Sequence, residues 1–220
     1  MNPSIGNRLV RASAAFIALL WVGALPAAFG QATNGDATEH PVRVVTPPAG
    51  AARTGTLPIA GHGTLTWSTP AGWEYTPPLI DASGKSPLNL RLRAPSGRPT
   101  ILLTVFWDGF GTNQLKPTLN TLEASLRTSA SNQFIPESLE KTVTTRRLDM
   151  EFVQARFATF TDSILAASTK PIAAEESRHA TLGTFRAGPL WGNFMLMTND
   201  ADGPEFRAAL EVIKTLRATP

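Results

Sequence analysis

The sequence predicts an α+β fold: one domain in which a curved antiparallel sheet is flanked by helices. Three observations predict it. Leu88, Leu90 and Leu92 alternate with Asn89, Arg91 and Arg93, the period-two pattern of a half-buried strand. Leu115, Leu119, Leu122 and Leu126 recur at helical spacing, as do Phe206, Leu210, Ile213 and either Leu216 or Arg217 near the end. The remaining strand-like runs come in pairs separated by short turn-forming segments, as antiparallel neighbours do.

Taken in order, the ordered domain is expected from about His62. Leu65 and Trp67 alternate with Thr64, Thr66 and Ser68, and Thr69-Pro70-Ala71-Gly72 makes a turn before Trp73. Leu88–Arg93 is the next strand, and Pro95-Ser96-Gly97-Arg98-Pro99 connects it to Ile101–Trp107. That run is apolar on nearly both faces, as in a central covered strand. Asp108-Gly109 closes it, and the first helix follows, with Pro117 placed in its first turn where proline is tolerated. Strands are expected at Thr142–Thr145, through Met150–Thr161, and at Arg178–Arg186 and Leu190–Thr198 around Ala187-Gly188-Pro189. In the last helix Asp202, three residues before Glu205, resembles a capping box. Lys214 and Arg217 near the end complement the helix dipole.

The stretch before the domain speaks of place. Arg8 and Arg11 precede an apolar run from Ala12 to Phe29, with no acidic residue before Asp36. A positive region, an apolar region and a cluster of small residues is the order of a cleavable secretory signal peptide, assigned to residues 1–32. Cleavage is expected after Gly30 or after Ala32, and the product is expected to be periplasmic or secreted, with no stable membrane span. Residues 33–61, rich in Ala, Thr, Gly and Pro, read as a flexible tail. The domain proper is then 62–220.

Composition removes several function classes. The chain has no cysteine, so disulfides, a thiol nucleophile and a lipidated N-terminal cysteine are excluded. Without Arg8 and Arg11, eighteen basic residues face seventeen acidic ones, a net charge of +1. That gives no electrostatic footprint for nucleic acid.

Catalytic and metal motifs fail one by one. There is no Gly-x-Ser-x-Gly elbow. A triad of His179, Ser163 and Asp162 can be drawn, but chance alone supplies such trios in a chain of this length. Glu176-Ser177-Arg178-His179 has the Glu-x-x-His spacing of di-iron bundles, yet it occurs once and in a strand-like setting. The run from Asp200 lacks the glycine and oxygen ligands of a calcium loop, since Pro204 and Glu205 stand there. Gly109-Phe110-Gly111 lacks the lysine and hydroxyl of a phosphate loop, and adjacent Glu175-Glu176 point to opposite faces of an extended segment. No cofactor is expected.

The candidate binding residues are Arg91 and Arg93, on one face of one strand, and Trp107 and Trp191, as walls of an apolar pocket. Arg146-Arg147 and Trp73 are further candidates of the same two kinds. Solvated arginines and core tryptophans are the competing uses.

Leu65-Thr66-Trp67-Ser68-Thr69-Pro70-Ala71-Gly72-Trp73 resembles the opening strand and Pro-x-Gly-Trp turn of the PsbP-like fold group, which includes DcrB-type and LpqN-type bacterial envelope proteins. The resemblance, with the order of elements, covers about 62–218. It implies an antiparallel sheet flanked by helices and a mostly non-enzymatic accessory or binding role. It supplies no common catalytic residue. The expected function is an exported envelope module that binds a protein partner or a small apolar or anionic ligand. The alternatives are an exported hydrolase assembled from distant residues, and an immunity or secretion-system accessory protein.

Overall fold

The computed structural model describes residues 52–76, 86–110, 116–173 and 176–219. The assigned signal peptide, most of the assigned tail, Leu115, Gly111 and Glu175 lie outside them. The fold is α+β, with two open antiparallel sheets and three helices. Ten strands are described: β1 Arg53–Ile59, β2 Gly63–Thr69, β3 Glu74–Thr76, β4 Leu88–Arg93, β5 Thr100–Trp107, β6 Arg146–Asp149, β7 Gln154–Thr161, β8 His179–Ala187, β9 Leu190–Thr198 and β10 Arg217–Thr219. The helices are α1 Leu119–Gln133, α2 Ser163–Ala167 and α3 Pro204–Lys214. None of the described helices is long and apolar enough to cross a membrane.

The large sheet runs β3-β4-β5-β9-β8-β7-β6, and the small one β1-β2-β10. In β5 the side chains alternate between two buried layers. Ile101, Leu103, Val105 and Trp107 join a core with Leu65 and Trp67 of the small sheet and Phe206, Val212 and Ile213 of α3. On the opposite face, Leu126, Ala130 and Phe134 meet Ala158, Phe160, Leu182 and Met195, while Leu122 meets Phe106 and Trp191. Helix α1 therefore covers one face; α3 and the small sheet cover the other. The apolar run at 101–107 follows from this double cover.

Several sequence expectations need correction. The domain begins before His62, because Arg53–Ile59 pairs along its whole length with β2. Gly55 and Pro58 disguise it as tail. Gly55 is needed there, since a Cβ would stand 2.2 Å from the Trp67 indole lying across it. Pro58 is tolerated because β1 is an edge strand. The first helix starts at Leu119, capped by the Thr118 hydroxyl accepting from Thr121 N, so Pro117 precedes it. The strand expected at Thr142–Thr145 begins only at Arg146. Its polar groups go to α1 instead: Arg127 Nη1 donates to Val143 O at 3.0 Å, and Thr145 Oγ1 donates to Glu123 Oε1 at 2.7 Å. The long run from Met150 is strand only from Gln154, after a turn in which Met150 N donates to Val153 O.

Leu190–Thr198 forms as expected, joined to β8 by Gly188-Pro189, with Gly188 at φ 57° as a tight hairpin turn requires. Helix α3 forms too, but Asp202 does not cap it. Asp200 does, its carboxylate accepting from the backbone N–H of Gly203, Glu205 and Phe206 at 2.9–3.0 Å. Asp202 instead pairs with Arg146 at 2.6 Å on the surface. Arg217 is not a helix-end cation either: it opens β10, with its guanidinium 4.2 Å from the Phe152 ring centre.

Candidate functional site

β7 ends at Thr161, and the next residue, Asp162, turns the chain into α2. Its carboxylate accepts from Ile164 N and Leu165 N at 2.8 and 2.9 Å, which is why the strand stops there. The loop after α1 is stitched to this end: Ser138 bridges Asp162, and Leu139 N donates to Thr161 O at 3.0 Å. These bonds bring Glu140 over Thr161 and leave an open cleft of about 420 Å³, counting the solvent at its mouth. Phe134, Phe160, Ala180, Met195 and Met197 give it an apolar wall, and Thr161, Arg178 and His179 a polar one.

The polar wall contains a chain of three side chains. Glu140 accepts twice from Thr161, from the backbone N at 2.7 Å and from Oγ1 at 2.8 Å. Thr161 Oγ1 also lies 3.1 Å from His179 Nδ1. A hydroxyl has one proton, and here the carboxylate takes it. His179 must then carry its proton on Nδ1 and donate to Thr161. Burial holds the ring below the ordinary histidine value; the Arg178 charge acts the same way, against opposing pulls from Glu140, Asp200 and Asp202. His179 is thus neutral near pH 7, and its basic nitrogen, Nε2, is the one not bonded to the hydroxyl.

This order differs from that of a hydrolytic triad, where histidine stands between the acid and the hydroxyl and takes the hydroxyl's proton. The trio drawn from sequence does not assemble. Ser163 Oγ donates to Glu137 O at 2.9 Å, and Asp162 is engaged by α2. The Glu-x-x-His segment is not helical, and Glu176 Oε2 accepts from Ala173 N. Among the described residues, no group of three His, Asp or Glu side chains converges to hold a metal ion.

Arg178 is held by its backbone: its N donates to Asn199 Oδ1 at 3.2 Å, and its O accepts from Asp162 N at 2.9 Å. Its Nε is buried without a hydrogen-bond partner among the described residues. A partly desolvated guanidinium beside an apolar wall favours an acceptor that arrives with the ligand.

The four residues singled out from sequence divide into two pairs. Arg91 and Arg93 do project from one face of β4, and it is the face of the cleft. Register carries Arg91 through Leu102 to Met195, and Arg93 through Thr100 to Met197. Arg91 is exposed, whereas Arg93 Nε donates to Gly97 O at 3.0 Å within its own turn. Trp107 and Trp191 line no common pocket. They occupy opposite faces of the sheet, 7% and 2% exposed, in different cores. Trp107 stacks on His62 at 5.1 Å and Trp191 on Phe106 at 4.5 Å. Adjacent strands place Trp191 opposite Phe106, one residue out of phase with Trp107, and that offset separates them. Trp73 is core as well, and Arg146 is engaged with Asp202 and over the Phe157 and Phe206 rings.

Sequence reasoning missed Glu140 and Thr161, and considered Arg178 only as part of a failed motif. No protein-family model matches the chain, and a search of curated proteins finds no match.

Proposed function

We propose that the chain is an exported, non-catalytic binding module of the bacterial cell envelope, and that its ligand is an amphipathic anion. The observation that carries this reading is the cleft itself. Arg178, with a buried and unpartnered Nε, faces a wall of two phenylalanines and two methionines. Methionine side chains adapt to flexible apolar ligands, and a guanidinium pairs with carboxylate or phosphate. Arg91 and Arg93 add positive charge along the same sheet face. The proton order at Glu140, Thr161 and His179 argues against the hydrolase alternative, because among the described residues the hydroxyl within hydrogen-bond distance of His179 is one to which it donates. Membership of the PsbP-like group is part of the proposal, and an antiparallel sheet flanked by helices supports it.

Calorimetric titration of the purified chain with dodecanoate, dodecyl phosphate and dodecyltrimethylammonium tests the reading. The two anions bind and the cation does not. Arg178→Ala weakens anion binding roughly ten- to a hundredfold, the loss of one charge-assisted hydrogen bond. Equal binding of anion and cation, or none of either, sinks the proposal. Export is tested separately by N-terminal sequencing of protein recovered outside the cytoplasm, which begins at Gln31 or Thr33.

A further inference from the structure

Under α1 a row of polar residues crosses the large sheet. Asn89, Thr104, Asn193, Thr184 and Arg156 are successive cross-strand partners on five adjacent strands. The ends of the row are satisfied within the chain. Thr104 Oγ1 donates to Asn89 Oδ1 at 2.9 Å, and Arg156 pairs with Asp149 at 2.8 Å and Glu123 at 3.5 Å.

The middle is different. Thr184 is 3% and Asn193 8% exposed. The two face each other across β8 and β9, yet Thr184 Oγ1 and Asn193 Nδ2 bond neither each other nor any other described group. Buried polar groups are almost always paired, with protein or with ordered water. Both residues line a small space under α1, together with Ser125, Leu126 and Ser129. The room open to the centre of a water-sized sphere is about 10 Å³. That is the lower end of the ~10–15 Å³ that one water needs, and it admits nothing larger.

We propose that one buried water sits in this space and bridges Thr184 Oγ1, Asn193 Nδ2 and α1. The chemistry selects water over an ion. Asn193 Nδ2 only donates, which disfavours a metal cation, and the polar side chains lining the space are neutral. The cation in the row, Arg156, is already paired with Asp149 and Glu123, so an anion would lack a counter-charge. A water accepts from the amide and meets the hydroxyl in either role. Its third bond goes to α1, where Ser125 and Ser129 stand one turn apart; internal waters make about three such bonds. The bridge ties α1 to β8 and β9. The same helix ends at Phe134, which lines the Arg178 cleft, so the water helps to set where that wall stands. The proposal does not depend on what the cleft binds.

The test is a crystal structure of the purified chain at a resolution that shows waters, with a parallel crystal soaked in sodium bromide. The expected result is one oxygen-sized peak about 2.7–3.2 Å from both Thr184 Oγ1 and Asn193 Nδ2, without a bromide signal. Thr184→Val keeps the side chain's shape and removes one anchor, so the peak disappears. The melting temperature falls by about 2–4 °C, the loss of one satisfied hydrogen bond in a domain of this size. If no water bridged the pair, the same change would delete an unpaired buried hydroxyl and raise the melting temperature. A rise therefore overturns the proposal. So does a crystal with no peak between the two atoms, or one in which Thr184 and Asn193 bond directly. Bromide at the site overturns it too, by assigning the space to an anion.

Discussion

Replacing Thr161 with valine removes one hydroxyl and keeps the side chain's shape, so it isolates the link between Glu140 and His179. The hydroxyl donates to the carboxylate at 2.8 Å and sits 3.1 Å from the imidazole. A hydrogen bond to a charged group contributes about 1.5–3 kcal/mol, and a neutral one about 0.5–1.5 kcal/mol. The site is only half-buried and water replaces part of what is lost, so the lower ends apply, about 2 kcal/mol together. For a domain of this size that corresponds to a fall of roughly 4–8 °C in melting temperature. The backbone bond from Thr161 N to Glu140 persists, which keeps the loop in place. Urea denaturation gives the free energy, and ¹⁵N-edited NMR of His179 reads the tautomer directly. The parent chain shows the proton on Nδ1. A proton on Nε2, with Nδ1 accepting from Thr161, would refute the argument and reopen the hydrolase reading. So would a destabilisation too small to measure.

Other outcomes follow from the same geometry. Asp200→Ala costs about 2 kcal/mol, since three backbone N–H groups at the start of α3 lose their acceptor, whereas Asp202→Ala breaks only a surface pair and costs under about 1 kcal/mol; paired thermal melts separate them. Gly183→Val destabilises severely, because even a Cβ there would stand 2.1 Å from the Phe194 ring; loss of soluble folded protein or a collapsed melting temperature reports it. The His179 ring is held below its ordinary value, so the unfolded chain takes up a proton that the folded chain refuses. Its share of stability is present above the unfolded value, about 6.5, declines as pH falls toward the lowered folded value, and is flat below that. His179→Gln should flatten this part of the stability–pH curve in denaturant titrations.

Local patterns in the sequence determined the class of the fold and most of its larger pieces. The alternation of Leu88, Leu90 and Leu92 and the apolar run at 101–107 became β4 and β5, because one-sided and two-sided burial leave different periods. The phase of Phe206 and Ile213 became the buried face of α3, and Gly188-Pro189 became a hairpin turn. The alternation also put Arg91 and Arg93 on one face. Most of what failed depended on partners remote in the chain. β1 was hidden by Gly55 and Pro58, whose reasons are the Trp67 ring above one and an edge position for the other. The cap of α3 passed from Asp202 to Asp200 because the approach of the chain, not spacing, decides which carboxylate reaches the free N–H groups. Trp107 and Trp191 looked equivalent, and only strand register placed them on opposite faces. Glu140, Thr161 and His179 lie in three separate segments, and Thr184 and Asn193 in two strands. No motif spans them, since hydrogen bonds across a sheet form at fixed distances in space and at any distance in sequence. The sequence by itself thus determined the class of the fold and the alternation along its clearest strand, while a place outside the cytoplasm stays a proposal. The tertiary structure alone decided which polar groups meet, which protons they share and which buried atoms, among the described residues, have no hydrogen-bond partner.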